Sequence, residues 1–65
     1  MITIIFEPEG GQKTFSRINT ALGLLHKLGI KPTDALLIRG DELLTPDRRL
    51  HPGDRITIRF VASRG

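Results

Sequence analysis

Sixty-five residues with no cysteine, tryptophan or tyrosine describe one small domain, and exclude a disulfide framework, a thiolate metal site and a cysteine nucleophile. Hydrophobic residues at 38% and charged residues at 26% are the proportions of a globular chain, not of a disordered one. Ten Lys and Arg against seven Asp and Glu give a net charge of +3, a mild bias that admits an acidic protein or RNA as partner and demands neither.

The N-terminal run Ile2-Thr3-Ile4-Ile5-Phe6 is β-branched or aromatic throughout and predicts a central strand, with Ile2, Ile4 and Phe6 on one face. Ile5 points the other way. No basic stretch precedes this run and Glu7 closes it, which is not the pattern of a signal peptide. A cytoplasmic location is expected. Pro8-Glu9-Gly10-Gly11 is a turn, and Gln12 to Ser16 a second strand that completes a hairpin. Thr20, with Asn19 as rival, is placed to cap a helix. Ala21, Leu24, Leu25 and Leu28 then fall on one helical stripe. His26 and Lys27 suit the C-terminal end of the dipole, and Gly29 and Pro32 end the helix. Ala35 to Arg39 predicts a third strand. Gly40-Asp41-Glu42 turns into a short partner, Leu43-Leu44. Thr45 to Pro52 is a loop with Leu50 as its buried anchor. After the turn His51-Pro52-Gly53-Asp54, the last strand alternates: Ile56, Ile58 and Phe60 on one face, Arg55, Thr57, Arg59 and Val61 on the other.

No apolar stretch approaches the roughly 20 residues that span a bilayer. The expected fold class is α+β: a mixed sheet of four to five strands packed on one helix, in the order ββαβ(β)β. With the last strand parallel to the first at the sheet centre, this is a β-grasp, or ubiquitin-like, roll. The domain is expected to cover residues 1–61, with 62–65 as a tail.

The chemistry-bearing side chains are sparse. His26 and His51 fall on different elements and read as solvated imidazoles. The carboxylates sit at turns, Ser16 and Ser63 have no adjacent base, and no metal constellation is visible. Gly10-Gly11 leads into a strand, not a helix, so it is no phosphate loop. The expectation is a protein that is not an enzyme and binds no cofactor itself. Partner docking is expected through a sheet face carrying Arg39, Arg55 and Arg59, with the outward apolar residues Ile5 and Val61 and a leucine of the third strand. The alternative is a stand-alone module binding RNA or an acidic protein, with Arg48 and Arg49 as contacts; the lack of stacking aromatics weakens its RNA form.

Four stretches in order resemble one family. They are Thr20-Ala21-Leu22-Gly23-Leu24-Leu25-His26-Lys27-Leu28-Gly29-Ile30, Leu36-Leu37-Ile38-Arg39-Gly40-Asp41-Glu42-Leu43-Leu44, Leu50-His51-Pro52-Gly53-Asp54-Arg55-Ile56-Thr57-Ile58, and Val61-Ala62-Ser63-Arg64-Gly65. Together they resemble the small ubiquitin-like sulfur-carrier proteins of thiamin and molybdopterin synthesis and tRNA thiolation. The resemblance implies chemistry at the carboxyl terminus. An adenylating partner of the ubiquitin-activating type uses ATP to activate the glycine carboxylate, here Gly65. A sulfurtransferase then makes it a thiocarboxylate, which passes sulfur to an acceptor enzyme; some relatives instead join protein lysines. Ala62, Ser63 and Arg64 form the tail in this reading. The family closes on Gly-Gly, and Arg64 stands where that pattern has a glycine.

Overall fold

The computed structural model describes residues 1–7 and 9–61. The chain runs β1 (Ile2–Glu7), β2 (Gln12–Phe15), α1 (Ala21–Leu28), β3 (Ala35–Arg39), β4 (Glu42–Leu44) and β5 (Arg55–Phe60). The strands form one mixed sheet in the order β2-β1-β5-β3-β4. β1 and β5 are parallel neighbours at its centre, and every other pairing is antiparallel. This is the β-grasp architecture that the order of predicted elements implies.

The sheet is two-faced because its strands alternate. Among the described residues the buried apolar side chains lie between the sheet and the elements that cover it: Ile2, Ile4, Ala35, Leu37, Leu44, Ile56 and Ile58 from strands, Ala21, Leu24 and Leu25 from the helix, and Leu50 from the loop before β5. Ile4, Leu24, Leu25, Ile56 and Ile58 are the largest side chains sealed from solvent. In cross-strand register, Phe6, Ile58, Leu37 and Leu44 make one inner row.

Thr20, not Asn19, caps the helix. Thr20 is extended (φ −133°, ψ 162°), and its hydroxyl accepts from the Gly23 N–H at 3.0 Å. The other early amides, which have no partner within a helix, find one in the loop between β4 and β5. Ala21 N–H donates to the Arg48 carbonyl and Leu22 N–H to that of Pro46, while Leu50 N–H returns a bond to Asn19. The loop is thereby sewn along the start of the helix, and Leu50 is held in the core. At the far end Gly29 adopts φ 71° and donates to His26, and Ile30 donates to Leu25, a left-handed stop for which glycine has no steric cost.

Eight residues of helix extend about 12 Å, whereas a six-residue strand such as β5 extends about 20 Å. The helix therefore covers only part of the inner face. Phe60 has the inward phase, opposite Ala35, yet remains 41% exposed at the strand end. No helix among the described residues is long and apolar enough to cross a membrane.

Candidate functional site

The outer face of the sheet carries the feature that most needs explaining. Register aligns Gln12, Ile5, Thr57, Ile38 and Leu43 in a single row across all five strands. Leu36 lies beside it on β3, opposite Arg59. A small sheet with one helix fulfils its core requirement on one side, and the other is expected to be polar. Here Leu43 is 58% exposed and Leu36 38%, while Ile5 and Ile38 are half-buried. Ile5, Ile38 and Leu43, with Leu36 beside them, put apolar surface on this face, interrupted at its centre by Thr57 and ended by Gln12.

Arg55 and Arg59 flank the strip on β5, on the same face as Ile5 and Thr57. Arg59 is paired: its guanidinium donates to Glu7 Oε1 from Nη2 at 3.0 Å and from Nε at 3.3 Å. Both side chains are largely solvated, so the pair sets local charge and adds little stability. Arg55 forms no ion pair among the described residues. Val61 follows β5, exposed, with its N–H donating to the Asp34 carbonyl at 3.0 Å.

Arg39 does not join Arg55 and Arg59. It pairs in register with Ile56 and Glu42 and so takes the inner phase. There it is the hub of a clamp. Nη1 donates to Asp54 Oδ2 at 2.9 Å and to the Arg49 carbonyl at 3.3 Å, and Nη2 reaches Glu42 Oε1 at 3.4 Å. Glu42 in turn accepts from Arg48 at 2.6 Å. Asp54 Oδ2 also accepts from the His51 N–H at 2.9 Å. Desolvation is the largest single influence on the Asp54 carboxyl and pushes it up. The His51 amide and Arg39 together outweigh it and hold the group below the usual carboxylate range. Hydrogen bonding to Asp54 likewise keeps Arg39 more firmly protonated than usual. Arg39 thus fastens the β4–β5 loop to the sheet. In that loop, hydrogen bonding from Thr45 lowers Asp47 below its ordinary value.

His26 lies on the helix and His51 in the turn before β5, both exposed. No group of three or more His, Asp, Glu or Cys that could hold a metal occurs among the described residues. The sequence-expected activated residue Gly65, with the tail Ala62, Ser63 and Arg64, lies outside the described residues, as does Pro8 of the first turn.

Of the predicted docking residues, Ile5, Arg55 and Arg59 share the outer face. Ile38, Leu43 and Thr57 complete its central row and were not singled out by sequence. The signal for them is register: once β5 pairs with both β1 and β3, Thr57 must lie between Ile5 and Ile38.

No family model matches this chain, and no curated protein matches it.

Proposed function

We propose that this chain is a ubiquitin-like carrier protein without catalytic activity of its own, whose Gly65 carboxylate is activated by a partner enzyme. The fold supports this reading, and the apolar row on the outer face is the observation that carries it. β5 is hydrogen-bonded on both sides, by β1 and by β3, and the chain leaves it directly for residues 61–65. A strand held on both edges is a firm base for presenting a short segment. The strip formed by Ile5, Ile38 and Leu43 lies alongside it as a surface on which a partner can seat the domain. A terminal glycine, lacking a side chain, brings its carboxylate close to a nucleotide.

The reaction follows from the chemistry of a carboxylate. The carboxylate oxygen attacks the α-phosphorus of ATP, pyrophosphate leaves, and an acyl-adenylate forms. The outer sulfur of a sulfurtransferase persulfide then displaces AMP, giving an acyl disulfide, and a thiol cleaves its S–S bond, releasing the thiocarboxylate and leaving the thiol and the sulfurtransferase joined as a disulfide. Thiamin synthesis, molybdopterin synthesis and tRNA thiolation are the sulfur-using processes in which the resembling family acts. ATP is a substrate of the partner and not a cofactor held here. In this reading Arg64 accompanies Gly65 into the partner's channel and selects an enzyme with room, or a carboxylate, for it.

The reading as an RNA-binding module has less support. Arg48 and Arg59 already hold carboxylates, and the outer row contains no aromatic ring on which a base would stack.

The test is intact-mass spectrometry of the natural protein, whose starting mass also fixes its last residue. Incubation with ATP, the adenylating enzyme and a sulfur donor should add about 16 Da, as sulfur replaces oxygen. Removal of Gly65 should abolish the gain. An unchanged mass for both the natural protein and Arg64→Gly, with an enzyme that activates another carrier under the same conditions, refutes the proposal.

A further inference from the structure

A second feature lies away from the outer face. Ser16, Arg17, Ile18, Asn19, Thr20, Gly23 and Lys27 surround an open cleft of about 470 Å³ between the β2–α1 connection and the helix. That volume lies within the range of small-ligand sites, roughly 300–1,000 Å³.

Three observations define the ligand chemistry. Two cations, Arg17 and Lys27, line the cleft and no carboxylate does. Neither makes an ion pair among the described residues, although Arg39, Arg48 and Arg59 all do. Arg17 is also the sole non-glycine residue with positive φ among the described residues, at 65°. Such a conformation is uncommon and strained for a long side chain. The remaining lining, Ser16, Asn19 and Thr20, supplies hydroxyl and amide groups.

The helix N-terminus does not supply the binding groups. Its first amides are engaged by Arg48, Pro46 and the Thr20 hydroxyl. Any anion in the cleft is held by Arg17, Lys27 and the neutral polar groups of the loop. Gly23, on the cleft wall, leaves room for the capping hydroxyl, since a Cβ there would stand 3.3 Å from the Thr20 hydroxyl oxygen.

We propose that this cleft binds the phosphoryl group of a small phosphorylated ligand, with Arg17 and Lys27 as its charge partners. Arg17 offers a planar fork to two phosphate oxygens and Lys27 a point charge from the helix side. The site is independent of carboxylate activation: it uses neither the outer face nor residues 62–65.

The experiment is a ¹H–¹⁵N NMR titration of the full chain with inorganic phosphate and, separately, glycerol 3-phosphate. A chloride titration at matched ionic strength is the control. Saturable shifts confined to residues 16–20, 23 and 27 are expected, absent with chloride. Tighter binding of the ester identifies an organic ligand; equal binding identifies free phosphate. Lys27→Gln should weaken binding about tenfold. Arg17→Gly separates site from fold, because glycine suits positive φ: it should weaken binding by a similar factor without lowering Tm. Shifts that fail to saturate, that spread to Arg48, Arg49 and Arg55, or that persist unchanged in both variants overturn the proposal.

Discussion

Replacing Asp54 tests the claim that the Arg39 clamp holds the β4–β5 loop on the core. Asp54 receives the Arg39 guanidinium and the His51 amide on one carboxylate oxygen, each at 2.9 Å. Its own N–H donates to the His51 carbonyl, and its carbonyl accepts from Thr3 N–H. The side chains of Arg39 and Asp54 are 23% and 17% exposed, so water screens the pair only in part. Hydrogen bonds to a charged group contribute about 1.5–3 kcal/mol each when buried; with this exposure, Asp54→Ala should cost about 2–3 kcal/mol. Asp54→Asn keeps an oxygen for His51 and should cost about 1 kcal/mol. With m near 1 kcal/mol/M in urea for so small a domain, the alanine variant should lose about 2–3 M of midpoint. Far-UV circular dichroism is the appropriate probe, since the chain has no Trp or Tyr. Acid adds a second readout. The carboxyl is held below its ordinary range in the folded state, so its stabilisation is complete above the unfolded value, about 3.9. It is lost as pH falls through the folded value. The wild type should therefore lose more stability between pH 5 and pH 2 than Asp54→Asn does. An alanine variant within about 0.5 kcal/mol of wild type, or parallel acid profiles, would refute the clamp.

Thr20→Ala should cost about 1 kcal/mol by removing the hydroxyl that accepts the Gly23 amide, and Thr20→Ser should recover most of it in thermal melts followed at 222 nm. Leu50→Ala, which empties the loop's one buried anchor, should cost about 2–4 kcal/mol, read as a urea midpoint shift; a loss below about 1 kcal/mol would show that the loop packs without it. Leu43→Glu places a charge on the exposed end of the outer row. It should change stability by no more than about 0.5 kcal/mol, yet slow ATP-dependent activation of Gly65 at least tenfold in a pyrophosphate-release assay; unchanged activation would remove the outer row from the docking surface.

The helix was legible because each signal agrees with the next: the Thr20 cap, the stripe Ala21, Leu24, Leu25 and Leu28, and the left-handed Gly29. β5 was legible for the same reason, its polar Arg55, Thr57 and Arg59 alternating with the apolar Ile56, Ile58 and Phe60. β3 was less so. Ala35-Leu36-Leu37-Ile38 is apolar at every position, so period-two reasoning finds the strand but not its phase. Pairing with β5 sets that phase. It puts Leu37 opposite Ile58 and leaves Ile38 beside Thr57 on the outer face. Arg39 follows with Leu37, onto the inner side, where Asp54 and Glu42 receive it. Its partners are 15 and 3 residues away, and no local pattern links the more distant pair. The cleft at Arg17 was also invisible in sequence, because positive φ at an arginine follows from how the hairpin is joined to the capped helix and not from residue type.

The arrangement separates folding from recognition. Among the described residues every buried apolar side chain lies between one face of the sheet and the helix and β4–β5 loop that cover it, and the loop's carbonyls complete the helix start that a short segment cannot satisfy alone. Folding thus draws its apolar burial from one face of the sheet. On the outer face Ile5 and Ile38 are half-buried and Leu43 and Leu36 exposed, apolar surface that a core argument does not explain. The docking role proposed above accounts for it. The same separation makes the outer face experimentally tractable: on the proposed docking role, substitutions at Leu43, Leu36 or Arg55 should weaken partner association while the buried residues stay as they are.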